Sequence, residues 1–179
     1  MEEGSKNSNI IIISGAESTG KTELSKQLAS YYSCNWVPEL SRQYIEDLDY
    51  KYQYSDVELI ARLQAKQLKN ALKKSHRIIF DTGLIITKVW MDVVYNKCPN
   101  WLIETIKEMP KTLHLLCDID LPWIPDPVRE NGGEMRIKLH SMYINELSYF
   151  NQPFEIVSGV DELRIQSAIS KIDKHKIKL

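Results

Sequence analysis

The stretch IIIISGAESTGKT, residues 10–22, limits the fold more than any other feature of this chain. Four consecutive isoleucines leave no polar face for water, so a strand over Asn9–Ser14 is buried on both sides, as in a parallel sheet covered by helices. The strand stops at Gly15. Gly15-Ala16-Glu17-Ser18-Thr19-Gly20-Lys21-Thr22 then fits G-x-x-x-x-G-K-[ST] at every fixed position, and a helical pattern begins at Lys21. Each fixed residue has a physical task. Gly15 and Gly20 allow backbone angles and a close approach that a Cβ would block. The N–H groups between them form a nest for phosphate oxygens, and the helix adds the positive end of its dipole. Lys21 brings a mobile charge to the β- and γ-phosphates, and the Thr22 hydroxyl is a hard oxygen ligand for Mg²⁺. The loop is therefore expected to hold a nucleoside triphosphate such as ATP. Glu17 is the unexpected member. A carboxylate repels phosphate, so it points away, or meets an acceptor substrate or a basic residue.

The remaining pattern alternates short apolar runs with helical segments. Strands are expected at residues 34–37, 77–81, 112–117 and 154–157. Helices are expected over 41–48, from Ser55 through a stripe of Leu59, Leu63, Leu68 and Leu72, and over 83–95, 101–109, 134–149 and 160–174. Ser55 and Glu58 have capping-box spacing. Alternation of this kind predicts an α/β fold of the P-loop NTPase type: a five-stranded, mostly parallel sheet with helices on both faces. At 179 residues the chain is a single domain, 1–179, with a polar, loose lead-in over 1–9. That lead-in lacks the apolar core of a signal peptide.

Composition removes several function classes. The formal net charge of −1 gives no global attraction to nucleic acid or an anionic membrane. No apolar run approaches the roughly 18 residues of a membrane span. Cys34, Cys98 and Cys117 form no CxxC pair and suit a reducing, cytoplasmic setting. His76, His114, His140 and His175 show no metal-ligand spacing; His114 reads as a core strand residue and the others as surface.

In parallel sheets ligands sit beyond the carboxyl ends of the strands, and the unusual polar residues fall there. Asp81 closes the strand RIIFD and is the favoured carboxylate partner for a metal on Thr22, because the loop demands one; capping the helix that starts near Gly83 is the alternative. A GTPase reading fails, because Asn96-Lys97-Cys98 is followed by Pro99 rather than Asp, and Leu84 stands where D-x-x-G needs glycine. Motor-type and ring-forming ATPases use longer domains. A small-molecule kinase fits the size. Such an enzyme needs a lid, and residues 118–136, DIDLPWIPDPVRENGGEMR, have its composition. Arg129 and Arg136 are the candidates for gripping phosphate. Glu39 follows the second strand and is the candidate to take the acceptor's proton, with Arg42 three residues on to orient it. Trp123 either stacks on a flat ring or anchors the lid.

The acidic loop GAESTGKT, the segment PELSRQY, the strand RIIFDT and the lid WIPDPVR together resemble the ribosylnicotinamide kinase domain of bacterial NadR-type proteins. The resemblance runs from about Ile10 to about Ile172, within the P-loop nucleoside-kinase-like group. It implies transfer of phosphate from ATP, with Mg²⁺, to the ribose 5′-hydroxyl of nicotinamide riboside. Lys21 and Thr22 would then take the phosphates and metal, and Asp81 the metal or acceptor hydroxyl. Glu39, Trp123 and Asp126 would lie near the acceptor, and Arg129 and Arg136 near the phosphates. A cationic ring would account for the acidic and aromatic choices. The chain departs from that family at Gly83, where a second Asp is usual, and at Pro127, where Gly is frequent; the family's adenylyltransferase domain is not expected here. A kinase for another nucleoside, or a P-loop ATPase switch without a small acceptor, are the alternatives.

Overall fold

The isoleucine run forms the central strand of a five-stranded, all-parallel sheet, order β2-β3-β1-β4-β5. The computed structural model describes residues 9–74, 77–125, 131–177 and 179. Its strands are β1 (Ile10–Ser14), β2 (Asn35–Val37), β3 (Ile78–Asp81), β4 (Leu113–Cys117) and β5 (Phe154–Val157). The helices are α1 (Lys21–Tyr31), α2 (Leu40–Glu46), α3 (Tyr54–Lys74), α4 (Leu84–Tyr95), α5 (Asn100–Glu108), α6 (Gly133–Tyr149) and α7 (Asp161–Lys174). The expected strands and helices are all present, with ends shifted by a residue or two. The segment 1–8, which holds nearly all of the expected lead-in, lies outside the described residues.

Strand periodicity sends the isoleucines alternately to the two faces. Ile11 and Ile13 pack with Leu24 and Leu28 of α1 and Ala168 and Ile172 of α7. Ile10 and Ile12 join the larger cluster with Val57, Leu84, Val89 and Leu139 from α3, α4 and α6. All four are essentially buried, each stabilising by about 1.5–3 kcal/mol. β1, β3 and β4 are buried throughout, whereas β2 and β5 are edges that keep partial exposure. Parallel register pairs Ile13 with Asp81 and with Leu115, so the ends of β1, β3 and β4 lie side by side. Between β1 and β4, the Ser14 hydroxyl meets His114 Nδ1 at 2.9 Å. Burial holds that imidazole neutral, its pKa lowered to about 3, in keeping with a core role. His140, expected on the surface, is mostly buried, its Nε2 at 4.0 Å from Asp118. No helix among the described residues is long and apolar enough to cross a membrane.

α3 keeps part of the expected leucine stripe, with Leu68 buried and Leu72 packed against the core, but is turned so that Leu59 faces out. Its buried face is Asp56, Val57, Ile60, Ala61, Gln64, Leu68 and Ala71, while Leu59 is exposed. Ala61 and Ala71 lie on the buried face, and α3 packs against α4. Gln64 on that face accepts the Thr87 hydroxyl of α4 at 2.6 Å. The capping residue also moves: Asp56, not Glu58, reaches back to accept the Gln53 N–H at 2.8 Å. That bond, with the hydroxyls of Tyr50 and Tyr44, holds the Asp56 carboxyl below its ordinary pKa. Glu58 instead accepts the Trp101 indole at 2.9 Å.

Gly83 precedes α4, and a Cβ built there would stand 2.8 Å from Cγ2 of Ile12. The core isoleucine thus fills the space that a side chain at 83 would need. Gly83→Asp is expected to destabilise the fold by about 1–3 kcal/mol through overpacking, read as a lower urea midpoint at unchanged slope.

Candidate active site

The loop after β1 folds as its glycines allow. Gly15 has φ 148° and Gly20, the N-cap of α1, has φ 73°. A Cβ on Gly15 would stand 2.8 Å from Thr19 Oγ1 and 3.0 Å from Cys117 Cβ, so the loop lies tight against β4. The Thr19 hydroxyl donates to Ala16 O at 2.7 Å, and Lys21 Nζ donates to the same carbonyl at 2.9 Å. Lys21 therefore rests on its own loop, at the edge of the cleft.

Thr22 Oγ1 donates to Asp81 Oδ2 at 2.6 Å, joining α1 to the end of β3. The Asp81 carboxylate is 2% exposed, and its Oδ1 has no hydrogen-bond partner. Burial first, and then the charge of Glu39, push the Asp81 pKa up; the Thr22 hydroxyl and Lys21 oppose them. An orphaned, buried carboxylate oxygen beside a threonine hydroxyl is a hard-oxygen donor set. It fits Mg²⁺, which takes one or two protein oxygens, phosphate and waters. Helix capping, the other role open to Asp81, is not seen: the N-cap of α4 is Gly83, in extended backbone and with no side-chain cap.

Beside the loop lies a cleft of about 420 Å³. Lys21, Thr22 and Glu39 border it at the loop end, and Tyr52, Trp90 and Tyr143 bring aromatic surface. Tyr52 and Trp90 meet edge to face, 5.0 Å between centroids, with the indole N–H on the Tyr52 oxygen at 3.3 Å. Tyr143 is pushed up in pKa by burial and then by the charges of Glu17 and Glu39, so it remains a neutral phenol. Glu39, the N-cap of α2, accepts the Ser41 hydroxyl at 2.8 Å. Arg42, expected to orient Glu39, pairs with Glu46 at 2.9 Å and also borders the cleft.

The described residues of the segment expected to be a lid, 118–125 and 131–136, meet the phosphate loop through Leu121, Ile124, Asn131 and Arg136. Glu17 accepts the backbone N–H and the side-chain amide of Asn131, both at 2.9 Å. Its carboxylate therefore joins loop to lid, which answers why an acid stands there. Ser18 Oγ and the Ile124 backbone exchange bonds at 3.1 and 3.2 Å. Arg136, a candidate for phosphate, is buried and donates to Leu121 O at 2.7 Å and Ser18 O at 2.9 Å. Trp123 packs its ring on Gly132 rather than lining the cleft, the anchoring alternative, and the aromatic wall comes instead from Tyr52, Trp90 and Tyr143. Asp126 and Arg129 lie outside the described residues.

Sequence reasoning missed Arg164. Its guanidinium, 5% exposed, donates to Thr19 O at 2.8 Å, Asp118 O at 3.2 Å and Gly159 O at 2.7 Å, and pairs with Asp120 at 2.7 Å. It ties the phosphate loop to the ends of β4 and β5. The signal was present: Arg164 shares an i, i+4, i+8 stripe with buried Ala168 and Ile172. Arg164→Met is expected to cost about 3 kcal/mol by taking the guanidinium from three carbonyls and leaving Asp120 with the Gly159 N–H but no cation, measured by urea unfolding, and to weaken Mg·ATP binding.

The sheet order, the crossover helices and the glycine loop facing a strand-end aspartate define a P-loop nucleotide-binding protein. Residues 10–164 match the AAA-domain family AAA_28, and the chain belongs to that family. It is 26% identical over 157 residues to the trifunctional NAD biosynthesis/regulator protein NadR of Escherichia coli (strain K12). That alignment covers 84% of this chain and 38% of the relative, so the chain spans well under half the length of the curated relative. The crystal structure of NadR protein in complex with NR superposes with a TM-score of 0.79 at 20% identity, over 92% of this chain and 50% of that one. A deoxyadenosine kinase from M. mycoides, with products dCMP and dCDP bound, superposes at 0.65 with 19% identity, over 92% and 99%. The expected likeness to NadR is borne out, and the solved structures establish a shared fold.

Proposed function

We propose that this chain is a kinase that transfers the terminal phosphoryl group of Mg·ATP to the 5′-hydroxyl of a nucleoside, nicotinamide riboside first among them. One observation carries the reading: the cleft continues from the phosphate loop into an aromatic-lined chamber, with Glu39 among its lining residues. A nucleotide-driven switch has no use for such a chamber. A flat, cationic ring suits it, because Trp90 and Tyr52 offer aromatic surface and Glu17, Glu23 and Glu39 supply negative charge. The likeness to NadR supports the choice of riboside.

In this mechanism the loop amides and Lys21 hold the β- and γ-phosphates. Thr22 and Asp81 would hold Mg²⁺, which supplies charge neutralisation on the transferring group when bound. Glu39 takes the proton of the acceptor hydroxyl, its oxygen bonds to the γ-phosphorus, and the bond to the ADP oxygen breaks. Glu17, Arg136 and the lid keep water from the loop. Arg129 would reach the phosphates and Asp126 the acceptor, while Arg136, buried and bonded to the Leu121 and Ser18 carbonyls, braces the loop from behind.

The test is a panel of ribosides with ATP and Mg²⁺, read as ADP formed. Little ADP without acceptor and strong stimulation by nicotinamide riboside is the expected result. The AAA-domain description of the family favours one second reading, an accessory ATPase. Steady ADP release indifferent to every riboside would support that instead.

A further inference from the structure

Thr82, between Asp81 and the α4 N-cap, combines two features that are each unfavourable for folding. Its φ is 76°, a left-handed conformation that a β-branched residue rarely adopts. Its side chain is 5% exposed, and its hydroxyl has no hydrogen-bond partner. Its backbone N–H is fixed to Ile13 O at 3.0 Å, so the sheet itself holds the residue in this conformation. A glycine at this position would remove both the strain and the orphaned hydroxyl. Strain combined with an unpaired polar group, sustained by the surrounding framework, marks a side chain kept for a ligand.

The ligand is indicated by position. Thr82 borders the 420 Å³ cleft. It directly follows Asp81, whose carboxylate is joined to Thr22 at the phosphate end. Consecutive Cα atoms are about 3.8 Å apart, so Thr82 stands at the end where phosphoryl transfer would take place. The acidic groups there, Glu39 and Asp81, only accept hydrogen bonds when ionised, whereas a hydroxyl both donates and accepts. We propose that Thr82 is an acceptor-binding residue: its hydroxyl donates to the alcohol oxygen of the nucleoside, leaving that alcohol's own proton to Glu39. Thr82 itself forms and breaks no covalent bond. This assignment rests on the kinase reading above.

The experiment compares wild type with Thr82→Val, Thr82→Ser and Thr82→Gly, assaying phosphate transfer from Mg·ATP to nicotinamide riboside and ligand-free melting. Valine has the shape of threonine and the same backbone restriction, so Thr82→Val removes the hydroxyl alone. It is expected to lower kcat/KM for the riboside about tenfold or more, with Mg·ATP affinity within about twofold and melting unchanged or raised. Thr82→Ser is expected to keep most activity. Thr82→Gly is expected to melt higher and to lose acceptor affinity as valine does. Riboside kinetics in Thr82→Val equal to wild type would overturn the assignment alone, as would joint loss of stability and Mg·ATP binding. A wild type that phosphorylates no riboside overturns the kinase reading and this assignment with it, and is recognised because the parent itself is silent.

Discussion

Asp81→Asn is expected to give a protein that melts higher without ligand yet turns over about a hundredfold less, or worse, with Mg·ATP and acceptor. Both effects come from one carboxylate. Asp81 is buried, its Oδ1 is unpartnered, and its pKa is raised chiefly by burial. A carboxyl with a raised folded pKa binds its proton more tightly in the native state than in the unfolded chain. Its stabilising contribution is therefore fully present below the ordinary unfolded value of about 3.9 and is lost as pH rises through the folded one. Wild type is expected to lose stability over that interval, and Asp81→Asn to lack this slope. Asparagine still accepts the Thr22 hydroxyl, so the α1–β3 link survives while a buried charge disappears; about 1 kcal/mol of gain at neutral pH is reasonable. Melting curves at several pH values, with and without excess Mg·ATP, separate the effects. Mg·ATP should stabilise wild type more than the variant, because the metal relieves in one the charge that the other lacks. A variant melting lower than wild type at neutral pH, or retaining turnover, would remove Asp81 from the metal site.

The balance between stability and function at this strand end explains which parts of the molecule were legible in the sequence. β1, the phosphate loop and α1 are local: isoleucines dictate burial, glycines dictate the turn, and Lys21 and Thr22 follow in helical register. The alternation of strands and helices, and so the sheet, follows from the same short-range chemistry. What failed depends on neighbours distant in the chain. In α3, Ala61, Gln64 and Ala71 are buried while Leu59 is exposed, and Gln64 meets Thr87 of α4, a partner 23 residues on. Glu17 reads as a misfit until Asn131 arrives from more than a hundred residues away. Arg164 belongs to no motif, and only its place on the apolar stripe of α7 hinted at the core. The aromatic wall was sought in Trp123 because a proline-flanked tryptophan in a loop draws attention. Trp90 and Tyr143 lie within helices, where an aromatic reads as packing.

Glu39→Gln carries the other large effect, a loss of turnover between about a hundredfold and ten-thousandfold with Mg·ATP binding kept. Glu39 stands where β2 gives way to α2, in extended backbone, and lines both the aromatic cleft and the neighbouring groove that Asp81 also borders. Ser41 donates to its Oε1, which orients the carboxylate without neutralising it. Its negative charge also raises the pKa of Asp81, the two acids being close enough to interact. That coupling provides a second readout. With the charge at 39 removed, Asp81 ionises more readily, so the pH at which Mg·ATP binding half-develops should move downward in Glu39→Gln. Were Glu39 only an electrostatic neighbour of the metal site, the variant would bind Mg·ATP as well as wild type or better and keep its turnover. Were it only a structural cap, both stability and turnover would stay near wild type, since glutamine keeps the shape and can still accept the Ser41 hydroxyl. A fall in kcat at saturating acceptor, with intact stability and intact or improved Mg·ATP binding, is the combination expected of a group that takes the acceptor's proton; a rise in KM alone would mark a binding role. Unchanged turnover in a stable Glu39→Gln would place the base elsewhere in the cleft.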